Sequence, residues 1–235
     1  MIQKVYRKTI AIITLFSIEF LITGILFFAS IFLFGLIVKE LFYDKQEQFD
    51  HFVYQWVHQF TSPAMTNFMK AMSFLASREF IPVMFVLLLL YFLFIKKHHW
   101  YSLKVPVVVI GSLLLNLFLK FLFNRPRPIV ERLSEASGLS FPSGHSMTAF
   151  SFYGLLIYFT WKEVPQKGLK WIITIILLLI IHLIGVSRVY LGVHYASDVL
   201  AGFAIGYVWL ILSILVLQRL EKYYQKKVDP LKQFE

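Results

Sequence analysis

The chain contains no cysteine, which excludes a disulfide framework, a thiolate nucleophile and a Cys-type metal site. Charge is scarce as well: 15% of the 235 residues are charged, where a soluble domain usually carries about a quarter. The acidic sign is the rarer one, with 13 Asp and Glu against 23 Lys and Arg. Nowhere do carboxylates gather in the way a Mg²⁺ site requires, so neither a metal nor another cofactor is expected. Apolar and polar residues do not alternate with a period of two, and no internal repeat or low-complexity tract breaks the chain.

What the chain has instead is long apolar runs. Hydrophobic residues make up 58% and aromatic residues 18%, and the mean hydropathy is +0.70. Runs such as Ile10 to Val38 and Trp171 to Val186 are long enough, or nearly so, to cross a hydrocarbon core of roughly 30 Å as a helix. Helices satisfy their own backbone hydrogen bonds in lipid, so an all-α, multi-pass bundle forming one membrane-embedded domain over residues 1–235 is expected. The first run is too long for the apolar region of a signal peptide and reads as a retained helix.

Six spans are predicted: Ile10–Val38, Phe80–Ile95, Leu103–Phe123, His145–Trp161, Trp171–Val186 and Ser197–Leu217. Lys4, Arg7, Lys8, Lys96, Lys97, Lys104, Lys162, Lys167, Lys170, Arg219, Lys222, Lys226, Lys227 and Lys232 then fall on one side. Positive residues collect on the cytoplasmic side, so both termini, including a tail over 219–235, are expected there. The net charge of +10 thus reads as topology signal and contact with anionic membrane lipids, not as a nucleic-acid footprint.

The connection over 40–79 is long and not simply polar. Phe49, Phe52, Val53, Trp56, Val57 and Phe60 recur at helical spacing, while Asp50, Gln55, His58 and Gln59 fall elsewhere. This predicts an amphipathic helix on the outer membrane surface. Ser62-Pro63 reads as the cap and first turn of a second short helix, and Ser77 as a cap for the next span.

Three blocks place costly polar residues beside apolar helices, all on the outer side of this topology. They are Lys120 to Pro128, Phe141 to His145, and Ser187 to Asp198. Lys120, Arg127 and Arg188 supply three cations suited to a group bearing about two negative charges. Ser143 and Gly144 precede a helix, whose free N–H groups and dipole attract an anion. His194 and Asp198 are four apart and share a helix face, so the carboxylate can hold the imidazole and leave its other nitrogen nucleophilic. His145 is the candidate acid toward a departing oxygen.

These blocks read K-x6-R-P (Lys120, Arg127, Pro128), P-S-G-H (Pro142 to His145) and S-R-x5-H-x3-D (Ser187, Arg188, His194, Asp198). In this the chain resembles the type 2 phosphatidic acid phosphatase superfamily. The resemblance implies a metal-independent membrane phosphatase acting on lipid phosphates. It implies His194 as the nucleophile forming a phosphohistidine, Asp198 as its orienter and His145 as acid and then base. Lys120, Arg127, Ser143, Gly144 and Arg188 would hold the phosphoryl oxygens. Small bacterial members act on undecaprenyl diphosphate, phosphatidylglycerol phosphate and phosphatidate. A lipid phosphotransferase shares the first half-reaction, and a transporter or scaffold for anionic lipid is the alternative of another class.

The remaining polar residues have structural expectations. Glu19 and Asn116 should face the bundle, and His182 should be a satisfied interior histidine. Arg125, Glu131 and Arg132 read as rim charges. Gly202 and Gly206 permit close helix packing, within the bundle or between two copies.

Overall fold

The computed structural model describes the backbone of residues 2–228 and the side chains of 18 and 20–226. Glu19 and the side chains of Lys4, Arg7, Lys8, Lys227 and Lys232 lie outside the described residues, as does the tail beyond 228. The fold is all-α, with no strand among the described residues. Helix α1 (Ile2–Val38) runs into a π-helical turn (Lys39–Tyr43), and two short helices follow, α2 (Gln48–His58) and α3 (Pro63–Phe74). Helix α4 (Phe80–Leu90) also ends in a π-helical turn (Tyr91–Ile95), before α5 (His99–Phe123). A helix-free segment leads to α6 (Gly144–Glu163), α7 (Lys167–Tyr190) and α8 (Ala196–Val228).

Local chemistry sets several of these ends. Ser62 caps α3 by accepting from the Met65 N–H at 3.3 Å, with Pro63 at the first helical position. Ser77 Oγ accepts from Phe80 N at 3.1 Å ahead of α4. Asn124 closes α5 in the left-handed conformation (φ 46°), its N–H returning to Lys120 O at 2.9 Å. Ser143 caps α6.

Helix α6 occupies the centre, packed against α5, α7 and α8. Its Ala149, Phe152 and Tyr153 join Ile181 and Ile184 of α7, while Leu155 and Phe159 join Val105, Val108, Leu210 and Ile214. Gly202 and Gly206 of α8 make this approach possible: a Cβ on Gly202 would stand 2.7 Å from Ser143 O, and one on Gly206 2.8 Å from Met147 O. The two glycines therefore serve the bundle itself.

Among the described residues, four helices are long and apolar enough to span a membrane: Phe20–Tyr43, His99–Phe123, Lys167–Tyr190 and Ala196–Lys226. Phe80–Ile95 is apolar but shorter. Helix α6 falls below the others in hydropathy because protein, not lipid, surrounds it, and it can afford Ser, Thr, Tyr and His. The outer faces are strongly apolar. Phe20 and Phe28 of α1 are each 70% exposed, a surface that only a membrane or comparable apolar partner covers.

Two sequence expectations change here. His182 is exposed on the bundle's outside, not interior, and meets its need locally through Leu178 O at 2.7 Å. Lys104 is not a free flanking charge but fully buried, paired with Glu221 at 3.0 Å. With Lys96–Glu163 at 2.7 Å, it ties together the end opposite the motif blocks. Asn116 does face the bundle, donating to Pro142 O at 3.2 Å.

Candidate active site

The three motif blocks converge at the end of the bundle where α5 stops, α6 starts and α7 hands over to α8. His194 lies in the short α7–α8 connection, and Asp198 sits in the first turn of α8. Gly192, with φ +67°, permits the turn between them and α7; a Cβ there would stand 2.8 Å from Glu131 O.

Asp198 is fully buried and surrounded by donors. Its Oδ1 accepts from Arg125 Nη1 at 2.8 Å, and its Oδ2 accepts from Tyr195 N at 3.0 Å and from the Ser140 hydroxyl. The same Oδ2 stands 3.3 Å from His194 Nδ1, with Ser140 Oγ 3.2 Å from that nitrogen. An ionised carboxylate only accepts, so Nδ1 carries the proton and the Nε2 lone pair is left for chemistry. Burial pushes the His194 pKa down to about 3, overcoming the opposite pull of Asp198; Arg188 and Arg127 push the same way as burial. The imidazole is therefore neutral at physiological pH, as a nucleophile must be.

On the Nε2 side stands Arg127, its Nη1 3.2 Å away. Its other bonds go to main-chain carbonyls: Val193 at 2.6 Å, Gly138 at 3.0 Å and Ser137 at 2.9 Å. Lys120 donates to Leu139 O and, at 3.2 Å, to Ser140 O. Arg188 is 5% exposed, donates Nη1 to Ser73 of α3, and keeps its buried Nε without a protein partner. None of these three cations has a carboxylate partner among the described residues. Buried cations normally do, so this arrangement is a ready receptor for an anion.

Helix α6 contributes from the opposite side. Ser143 Oγ receives Ser146 N at 3.4 Å and Ser146 Oγ at 3.0 Å, so its own proton is free to donate elsewhere. Gly144 and His145 open the helix, where backbone N–H groups have no intrahelical acceptor. A Cβ on Gly144 would come to 3.0 Å from Asn116 Oδ1. His145 is half-buried and within electrostatic reach of Arg188, His194 and Arg127, which gathers all three blocks around one point. No group of three or more His, Asp or Glu among the described residues is arranged to hold a metal ion.

The eight site residues expected from the sequence are thus brought together, but three contributors were missed. Arg125, expected on the rim, is 6% exposed and bonded to Asp198 and to Asp50 of α2 (Nη2 to Oδ2, 2.9 Å). Burial works against its charge, yet Asp198 and Asp50 more than offset this and hold its pKa above the ordinary value. Ser140, fully buried, touches both His194 and Asp198 because the loop folds back on itself, with Ser140 N bonded to Arg125 O at 2.8 Å. Asp50 is buried, on a helix expected to lie on the outer membrane surface. Arg132 and Glu131 do lie exposed at the rim.

Residues 101–222 match the PAP2 superfamily, and the chain belongs to that family: it is a membrane phosphatase of the PAP2 type. It is 34% identical over 202 residues to phosphatidylglycerophosphatase B of Bacillus subtilis (strain 168), covering 84% of this chain and 98% of that relative. A putative undecaprenyl-diphosphatase of Escherichia coli (strain K12) is 29% identical over 135 residues, 52% of this chain and 64% of the relative. The crystal structure of a transmembrane PAP2 type phosphatidylglycerolphosphate phosphatase from Bacillus subtilis superposes with a TM-score of 0.76 at 29% identity. That alignment covers 82% of this chain and 96% of the other.

Proposed function

We propose that this chain hydrolyses phosphate monoester or diphosphate groups of lipids, among them undecaprenyl diphosphate, phosphatidylglycerol phosphate and phosphatidate, through a phosphohistidine at His194. One observation carries the reading. His194 is clamped at Nδ1 by Asp198 while its Nε2 faces Arg127, beside two further cations that no carboxylate among the described residues neutralises.

In the first step the Nε2 lone pair attacks phosphorus. An N–P bond forms as the bond to the departing oxygen breaks, and His145, protonated as the phosphate anion binds and offsets the surrounding cations, gives that oxygen its proton. Asp198 stabilises the positive charge that appears on the imidazole. Lys120, Arg127, Arg188, the Ser143 hydroxyl and the Gly144 N–H hold the equatorial oxygens, where charge is spread in the transition state. In the second step His145 takes a proton from water, the hydroxyl attacks phosphorus, and the N–P bond breaks to release inorganic phosphate. No metal or other cofactor enters either step.

Six spans with both termini cytoplasmic put this site on the extracytoplasmic side, a topology supported by the one-sided distribution of Lys and Arg. Helices α2 and α3 then lie at the outer surface. Support comes from Phe52 and Trp56, 69% and 56% exposed, on a face that would meet lipid. A phosphate on a headgroup reaches such a site while its tails remain in the bilayer. The substrates named for the Bacillus and Escherichia relatives are of this kind.

Purified full-length protein in nanodiscs, offered a panel of lipid phosphates and diphosphates with and without EDTA, tests the reading. Inorganic phosphate release unaffected by EDTA is expected. Failure to release phosphate from every lipid, with binding retained, would favour an anionic-lipid transporter or scaffold, and release only when an acceptor lipid is added would indicate phosphotransfer.

A further inference from the structure

Arg125 is a fourth cation beside the Lys120, Arg127 and Arg188 cluster, itself buried, and its charge is already neutralised by protein. Nη1 reaches Asp198 Oδ1 at 2.8 Å and Ser197 Oγ at 2.9 Å; Nη2 reaches Asp50 Oδ2 at 2.9 Å and Glu47 Oε1 at 3.4 Å. The guanidinium also lies 3.8 Å from the Tyr195 ring centre, which sets its plane. Asp50 in turn accepts from Ser197 N at 2.8 Å and from Ser197 Oγ at 2.6 Å. That N–H belongs to the first turn of α8, so α2 caps, from a distant part of the chain, the helix that carries Asp198.

Asp50, Ser197 and Arg125 form a closed hydrogen-bonded ring that Asp198 joins through Arg125, and every carboxylate oxygen of the two aspartates has a donor. Its geometry has a consequence for the nucleophile. The two oxygens of Asp198 do different work: Oδ2 serves His194, Ser140 and Tyr195 N, while Oδ1 has Arg125 alone. Holding Oδ1 fixes the rotation of the carboxylate, and that rotation decides whether Oδ2 meets Nδ1.

We propose that Arg125 and Asp50 are positioning residues, through which α2 sets the orientation of Asp198 and so of the His194 imidazole. The proposal rests on the reading of His194 as the nucleophile. Neither residue touches the phosphoryl group. Helix α2 thereby becomes part of the catalytic frame. Its far face carries the exposed Phe49, Phe52 and Trp56, so a lipid-facing surface and the carboxylate that positions Asp198 share one short helix.

Arg125 also acts electrostatically. The charged groups around His194 are Asp198 of α8, Arg188 of α7, His145 of α6 and Arg127 of the α5–α6 loop. Lys120 of α5 acts on Asp198, Arg78 of the α3–α4 turn acts on Arg127 and His145, and Glu47 and Asp50 of α2 pair with Arg125. Removing Arg125 alone leaves Asp198 facing the imidazole with its charge uncompensated, which favours the protonated ring. The acid limb of kcat/KM must then move to higher pH.

Arg125→Lys, Arg125→Gln, Asp50→Asn and the double variant Asp50→Asn/Arg125→Gln test this in nanodiscs, with His194→Ala measured alongside. Arg125→Lys keeps the charge but loses the fork. A fall in kcat of about tenfold is expected, with KM and the acid limb near wild type, because misorientation and not binding is lost. Arg125→Gln should shift the acid limb upward. Asp50→Asn should lower kcat less than Arg125→Gln, and the double variant no more than Arg125→Gln alone. If Arg125→Gln does not fold, Arg125→Lys and Asp50→Asn still decide the matter. Wild-type kcat in both of those, whether or not thermal stability falls, would overturn the relay and leave a purely structural ring. Turnover by His194→Ala is a separate result and would overturn the nucleophile reading on which the relay rests.

Discussion

Arg125 and Arg127 stand two residues apart in one loop, separated by a proline, yet they belong to opposite electrostatic regions. Arg125 points into a compensated region, where Asp50 and Asp198 neutralise it and every oxygen is occupied. Arg127 points into an uncompensated one, where it, Lys120 and Arg188 bond, among the described residues, only to carbonyls, a hydroxyl and the His194 ring. In the proposed mechanism the first region builds and aims the nucleophile. The second is left short of negative charge, the condition in which a phosphoryl group is the missing partner. His194 sits on the boundary, one ring nitrogen in each.

The comparison is broken most severely at His194 itself. His194→Ala should lower phosphate release by about a thousandfold or more, while protection by inorganic phosphate against thermal unfolding persists. Next comes the contrast between the two arginines. Arg127→Ala should reduce kcat/KM by about a hundredfold or more, as loss of one transition-state donor does, with the melting temperature near wild type. Arg125→Ala should instead lose about 3–5 kcal/mol of stability, because it leaves buried carboxylates unpaired. Thermal unfolding and steady-state kinetics on the same preparations separate the two signatures. Equal destabilisation by both would erase the distinction.

Ser140→Ala probes the compensated region more gently. Asp198 keeps Arg125, Tyr195 N and His194, so a kcat loss of about tenfold with unchanged KM is expected. The smallest effect is a predicted absence of one. With its pKa lowered to about 3, His194 does not take up a proton as pH falls through the ordinary 6.5. The unfolded chain does, so the contribution of this group to stability, complete above 6.5, weakens as pH falls below it. NMR of labelled histidine should show the His194 ring neutral from about pH 8 to about pH 5, and a midpoint near 6.5 would contradict the burial argument.

The uncompensated region was largely legible in the sequence, and the compensated one was not, for a physical reason. Lys120, Arg127, Ser143, His145 and Arg188 announce themselves through short fixed spacings at helix ends, and within the compensated region the His194–Asp198 spacing alone does so. Arg125 looked like one more rim charge because its partners come from elsewhere: Asp50 and Ser197 are 147 residues apart in the chain. Ser140 has no spacing signal at all and arrives by the fold of its loop. At the other end, Lys104 counted as a flanking charge because Glu221 is 117 residues away. His182 looked interior because a histidine facing lipid is costly, yet one bond to Leu178 O within its own helix covers a ring nitrogen. The all-α fold followed from the apolar runs. The low hydropathy of α6 was the mark of a helix wrapped by its neighbours.

Trapping the phosphoenzyme tests the central claim most directly. Enzyme quenched during turnover of a lipid phosphate labelled in its phosphoryl group should carry acid-labile, base-stable label in the peptide containing His194, and none in His194→Ala. Label on another residue, or label that survives in His194→Ala, would contradict the account.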